Sequence, residues 1–180
     1  MPHLLGFSGS LRAASSATAL LRALIARLEG KAEVEIADIA SLPHYNADHD
    51  GGAAVAALLA AIERADGLVF VTPEYNYSVP GVLKNAIDWA SRPAYQSVLK
   101  GKPAFVATVS GGLIGGARAQ AHLKYVLNAV LAEVYPCQEV VVPQAPAKIV
   151  DGVFADAAVL DFAGAALDGF LARIAATRGR

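Results

Sequence analysis

Three short segments of this chain carry most of its polar and aromatic chemistry. In Gly9-Ser10-Leu11-Arg12-Ala13-Ala14-Ser15-Ser16-Ala17-Thr18, hydroxyls and a guanidinium meet the start of an expected helix. A helix N-terminus offers free amides and a positive dipole end, and arginine adds charge-assisted hydrogen bonds, so these residue types can hold an anion. Read alone, the segment serves equally as a helix cap, because Ser15 or Ser16 would cap the helix in any protein. The second segment, Pro73-Glu74-Tyr75-Asn76-Tyr77-Ser78, follows a buried-looking strand, Gly67–Thr72. It presents main-chain amides, an amide side chain and two ring faces, the groups a flat heterocycle needs. A single tyrosine there would read as a surface aromatic. The third segment, Ser110-Gly111-Gly112-Leu113-Ile114-Gly115-Gly116, has four glycines in six residues. Missing side chains let a ligand or another backbone approach, or make a flexible connector.

Other chemistries lack their signatures. Gly6-Phe7-Ser8-Gly9 does not have the dinucleotide spacing G-x-G-x-x-G, and no Walker lysine follows a glycine-rich turn. His44 and His49 sit in a Pro- and Asp-rich loop without a supporting metal-ligand pattern, so no metal is expected. Cys137 is the only cysteine, which excludes an internal disulfide and a cysteine-based zinc cluster. Between Pro136 and a strand it reads as a buried small hydrophobe. No Ser-His-Asp set with a nucleophile elbow is present, which disfavours hydrolysis. Lys84 and Asp88 form an i,i+4 pair on a helix face rather than a catalytic pair. Trp89 reads as core or subunit interface.

The elements that must position these segments alternate. Strands are expected at Leu4–Ser8, Val34–Ile36, Leu68–Thr72, Pro103–Val109 and Glu139–Val142. Helices are expected at Ser15–Leu28, Val55–Arg64, Val82–Ser91, Ala117–Val130 and Val159–Ala176. This alternation implies an α/β fold with a doubly wound, five-stranded parallel sheet, order 2-1-3-4-5, and helices on both faces. In that order ligands bind beyond the carboxyl ends of the strands, where strand order reverses between the first and third. The three loaded loops should therefore share one site.

Composition bounds the rest. At 180 residues the chain is long enough for one domain spanning 1–180, and a formal charge of −1 predicts no nucleic-acid or membrane-surface partner. A 55% hydrophobic and 17% charged composition fits a compact α/β core with a buried oligomer face. Apolar runs such as Ala53–Ile62 are too short to span a bilayer. The start, Met1–Gly6, lacks the basic residues and long apolar core of a signal peptide, so a reducing cytoplasm is the expected location.

The segment Val71–Arg92, VTPEYNYSVPGVLKNAIDWASR, resembles almost residue for residue the flavin-cradling loop of the NAD(P)H-dependent FMN reductase family. The likeness is nearest to the soluble bacterial quinone and chromate reductases, and it spans roughly Leu4 to Val142. Gly9, Ser10, Leu11, Arg12 and Ser15 match the family's phosphate loop. The family usually has Asn where Ala17 stands, leaving Ser16 or Thr18 to supply that contact. The resemblance implies that Pro73, Glu74, Tyr75, Asn76 and Tyr77 line the isoalloxazine through main-chain and Asn contacts, whereas Val82 departs from the pattern at a non-contacting helix position. It implies a third flavin loop at Ser110, Gly111 and Gly112, and an interface role for His122. It further implies a flavodoxin-like domain binding FMN, with NADPH or NADH as hydride donor. A small-molecule electron acceptor follows: a quinone, with chromate and azo compounds as further candidates, in a ping-pong exchange that needs no catalytic side chain. Family members are dimers or tetramers, which implies a homodimer or homotetramer.

Rival classes use the same fold. A flavodoxin-type electron carrier is typically strongly acidic and has a Ser/Thr-rich phosphate loop, unlike this chain. A supplier of reduced FMN to a partner oxygenase fits the same residues. A flavin-binding sensor module would carry an appended domain, and none is seen.

Overall fold

Hydrophobic alternation along the strands decides which helix covers which face of the sheet. The computed structural model describes residues 1–178. Its strands are β1 (His3–Ser8), β2 (Glu33–Ile36), β3 (Gly67–Pro73), β4 (Pro103–Val109), β5 (Glu133–Val134), β6 (Val140–Val142), β7 (Ile149–Val150) and β8 (Val153–Phe154). Its helices are α1 (Ser16–Arg27), α2 (Gly52–Arg64), α3 (Gly81–Ala90), α4 (Ala117–Ala129) and α5 (Ala157–Arg178). The main sheet runs β2-β1-β3-β4-β5, all parallel, with β6 also paired to β4.

Leu4, Val69, Val71, Phe105, Ala107 and Val109 point to the face covered by α1 and α5. Leu5, Leu68, Phe70, Ala104 and Val106 point to the face covered by α2, α3 and α4. Successive strand residues face opposite ways, so both faces of a parallel sheet must be apolar. The helices answer at helical spacing: Leu20, Leu21 and Leu24 on α1, and Ala163, Leu167, Phe170 and Ile174 on α5, are all buried. Phe7 and Phe70, register partners on β1 and β3, stack at 4.7 Å between centroids.

The strand expected at Glu139–Val142 is present as β6, and a further two-residue strand, β5, precedes it on the same edge. Val134 pairs with Ala104, and Val140 pairs with Ala107, on the same edge of β4. Between these pairs five residues on one side oppose two on the other, and the excess leaves the ladder after Tyr135, whose amide still donates to Ala104 O at 2.8 Å. Pro136 has no N–H to continue the pairing. The hairpin β7–β8 and the 3-10 turn Ala145–Lys148 were also missed, being too short for periodicity to show.

Phe170 is fully buried and tilts against Phe105 and Tyr135. Phe170→Ala should lower unfolding free energy by about 3–5 kcal/mol, as expected for an aromatic cavity. Urea unfolding followed by circular dichroism measures it.

Candidate active site

β1 ends at Ser8 and its chain turns across β3, where Gly9 N donates to Val71 O at 2.9 Å. A Cβ on Gly9 would stand 2.0 Å from Thr72 Oγ1, so only glycine passes this close. The loop then enters α1, capped by Ser15, whose Oγ accepts from Thr18 N at 3.2 Å. The amides of Ser16 and Ala17, at the first positions of α1, donate to no protein acceptor among the described residues. Ser10 Oγ accepts from Arg12 N at 3.3 Å and lies 3.4 Å from the Tyr75 hydroxyl. The Arg12 guanidinium touches only its own loop, donating to Ala14 O at 3.4 Å. This wall is therefore rich in donors: free helix amides, hydroxyls and one guanidinium.

The second loop closes on itself. Tyr75 and Ser78 exchange both backbone hydrogen bonds at 3.0 Å. Asn76 and Tyr77 between them have φ of 49° and 63°. Two left-handed central residues are the pattern of the tightest hairpin turns, which favour Asn-Gly. Asn tolerates that region; for Tyr77 it costs about 1–2 kcal/mol. Glu74 N donates to Val109 O at 3.3 Å, tying this loop to the end of β4. The Glu74 side chain turns from the cleft to α4, accepting from Arg118 N at 3.1 Å and Ala119 N at 3.2 Å.

The glycines of the third loop divide in role. Gly111 lies on the cleft wall. Gly115 and Gly116, with φ of 67° and 85°, bring the chain onto its own sheet: a Cβ on Gly115 would meet Val142 N at 2.9 Å, and one on Gly116 would meet Thr108 Cβ at 3.0 Å. Those two serve approach of backbone to backbone. Beneath them Thr108 Oγ1 donates to Gln120 Oε1 at 2.9 Å, both side chains buried.

A cleft of about 190 Å³ lies among the three loops, at the carboxyl ends of β1, β3 and β4. Ser10, Arg12, Ser15, Ser16, Ala17, Pro73, Glu74, Tyr75, Ser110 and Gly111 line it, as the sequence grouped them. Thr18 does not; its hydroxyl lies 2.7 Å from Ser8 Oγ, which leaves Ser16 as the hydroxyl on the wall beside Ala17. Asn76, Tyr77 and Gly112 lie farther along the same loops, beyond this volume. Val109 and Pro146 complete it and were not foreseen. Val109 is a plain strand residue, and Pro146 arrives through the 3-10 turn after β6, with no local sign of its destination.

Other groups take structural places. Trp89 is buried, donates to Pro43 O at 2.8 Å and packs edge-on to Tyr45 at 4.9 Å, holding down the loop after β2. Lys84 and Asp88 pair at 2.6 Å on α3. Burial pushes the Cys137 thiol up, which disfavours the reactive thiolate. No three His, Cys, Asp or Glu side chains gather as a metal site among the described residues.

The fold and cleft define a flavodoxin-like α/β protein with a donor-rich helix start at the point where strand order reverses. Residues 2–147 match the NADPH-dependent FMN reductase family, and the chain belongs to it. It is thereby a flavin-dependent oxidoreductase using FMN and a reduced nicotinamide. An NAD(P)H-dependent FMN reductase of Pseudomonas aeruginosa is 47% identical over 135 residues, 73% of this chain and 71% of that one. A quinone reductase of Escherichia coli K12 is 50% identical over 124 residues; the aligned stretch is 66% of this chain and 65% of the relative. The flavoenzyme NAD(P)H:(acceptor) oxidoreductase FerB of Paracoccus denitrificans superposes with a TM-score of 0.87 at 39% identity, covering 97% of both chains.

Two glycines of the site should respond oppositely to the same change. Gly9→Ala places a methyl against Thr72 Oγ1 and, at 3.0 Å, Thr72 Cα, and should destabilise by about 1–3 kcal/mol. Gly111→Ala meets only Pro146 at 3.9 Å and should stay within about 0.5 kcal/mol of the parent. Equal denaturation midpoints for the two variants would contradict the packing described.

Proposed function

We propose that this chain is an NAD(P)H-dependent reductase of quinones and related small acceptors, chromate and azo compounds included, and that FMN occupies the cleft. The observation that carries the reading is the donor-rich wall at the start of α1, in a chain of this family. A phosphate monoester needs several donors and no facing carboxylate. The free amides of Ser16 and Ala17, the Ser10 and Ser16 hydroxyls and the Arg12 guanidinium supply the donors, and the one carboxylate nearby, that of Glu74, is engaged by α4.

When bound, FMN supplies the hydride-accepting and hydride-donating chemistry. The protein's part is to bind, orient and stabilise charge. In this reading the loops Pro73–Tyr77 and Ser110–Gly112 flank the ring system. Pro73 has no amide hydrogen, Glu74 N serves Val109 O and Tyr75 N serves Ser78 O, so Asn76 and Tyr77 hold the loop's free main-chain donors. Fixed donors of this kind favour negative charge that develops during reduction. Nicotinamide and acceptor occupy one opening in turn, which gives a ping-pong exchange without a dedicated acid or base.

The reading includes a single FMN-binding domain and a cytoplasmic location. It also includes a homodimer or homotetramer joined through α3 and α4. Tyr125 on α4 is 78% exposed and Tyr95 after α3 is 67% exposed, and aromatics are enriched at interfaces. No helix among the described residues is long and apolar enough to cross a membrane.

Anaerobic addition of NADH or NADPH should bleach the flavin absorbance of the purified protein, and a benzoquinone should restore it over many turnovers. A protein that takes up FMN yet turns over no quinone would be a carrier instead. Arg12→Ala should weaken FMN binding by about 1.5–3 kcal/mol, the scale of hydrogen bonds to a charged group, and leave the fold intact. Titration by flavin fluorescence reads this, and parental affinity would remove Arg12 from the phosphate site. Light scattering of the active protein should give two or four times 18.6 kDa. The monomer mass with full activity would reject the assembly.

A further inference from the structure

The strained turn at Asn76–Tyr77 is gripped from one side by α4. That helix starts at Gly116 with no side-chain cap of its own, and the carboxylate of Glu74 fills the place from another loop. Glu74 Oε1 also accepts from the Arg118 guanidinium at 3.4 Å, and only 11% of the Glu74 side chain is exposed. Arg118, held there, lies over the Tyr77 ring at 4.4 Å. One turn further along α4, His122 Nδ1 is 3.0 Å from Ser78 Oγ. Residues 118, 119 and 122 of one helix thus hold residues 74, 77 and 78 of the loop.

We propose that Glu74 is a positioning residue: its carboxylate, by binding the α4 N-terminus and orienting Arg118, keeps the Asn76–Tyr77 turn left-handed with both amides unbonded within the protein and so available to the cofactor. The carboxylate acts on FMN through that turn alone. The proposal rests on the reading of the Pro73–Ser78 loop as the one flanking the flavin. Three facts converge on it. The turn is unfavourable in isolation for a tyrosine. The Glu74 carboxylate is engaged by two amides and a guanidinium. And Arg118, which it orients, covers the strained residue. A carboxylate at a helix N-terminus is favoured by the dipole as well as by the orphan amides. Its seat on α4 also takes negative charge away from the cleft.

The test compares the full-length parent with Glu74→Ala, Glu74→Gln and Arg118→Ala, each loaded with FMN and stripped of it. Amide hydrogen exchange, FMN affinity and reduction midpoint potential are read together. In stripped Glu74→Ala, exchange at Tyr75, Ser78, Arg118 and Ala119 should quicken roughly tenfold or more, with β4 and α1 unchanged, since loss of a cap frees the local structure. FMN should bind roughly tenfold more weakly, with a shifted potential. Glu74→Gln keeps an oxygen for the two amides and should stay within about threefold of the parent in both exchange and affinity. Arg118→Ala should fall between, and would carry the comparison with Glu74→Gln if the alanine variant at 74 did not fold. Parental exchange in the stripped variants would overturn the clamp whatever FMN does. Faster exchange with parental affinity and potential would overturn the positioning role. Loss of affinity in Glu74→Gln with parental exchange would mean direct contact of the charge with the cofactor, and would also sink the proposal. A parent that bound no FMN would instead fail the reading of the cleft, while the exchange arm still decided the clamp.

Discussion

Parallel pairing of three adjacent strands in fixed register is the constraint on which everything else here depends. Ser8 on β1 stands opposite Val71, and Pro73 on β3 stands opposite Val109, so the three chains leave the sheet within a few residues of one another. A parallel strand must be followed by a crossover, and the crossovers of β1 and β3 go to opposite faces: α1 to one, α3 to the other. Their loops therefore diverge just where they start, and the divergence opens the cleft. One residue of slip would move every side chain to the wrong face, so the hydrophobic pattern that builds the core also places the site.

Electrostatics inside the cleft follows from where its charged groups are tied. The start of α1 keeps amides of Ser16 and Ala17 free because Ser15 caps only one donor, at Thr18. The nearby carboxylate is drawn to a different helix start, that of α4. Of these two helix N-termini, only that of α4 has a protein anion. The start of α1 keeps its first amides unbonded. This asymmetry leaves the cleft wall at α1 rich in donors and without a facing free carboxylate.

Rigidity is distributed to match. The loop after β1 is fixed by close backbone approach at Gly9, and the loop after β4 by the approach of Gly115 and Gly116 to β4 and β6. The loop after β3 cannot be fixed that way, because it protrudes as a self-paired turn. Side chains reaching from α4 hold it instead. Local strain at Tyr77 is stable there because the surrounding contacts over-determine the turn.

Much of this was legible in the sequence. Continuous apolar runs at Leu4–Ser8, Leu68–Thr72 and Pro103–Val109 determined buried parallel strands, and helical spacing of Leu20, Leu21, Leu24 and Leu28 determined α1. Alternation of the two implied the strand order and so the end of the sheet where a ligand belongs. Local chemistry at Ser10, Arg12 and Ser15–Ala17 was enough to bring those residues to one wall, since they are near neighbours in the chain. What the sequence left open were choices made by partners distant along the chain. Thr18 looked equivalent to Ser16 until Ser8 claimed its hydroxyl. Glu74 lines the cleft as its sequence position suggests, but its carboxylate goes to α4, which lacks a cap in Gly115-Gly116-Ala117. The missing cap was the one signal that pointed that way. Pro146 joined the wall through the turn after β6, and β5 was added before the expected fifth strand because β4 offers one edge to two short segments. Periodicity records which face a residue turns to its neighbours nearby; hydrogen-bond partners 44 or 45 residues away are decided when the layers pack.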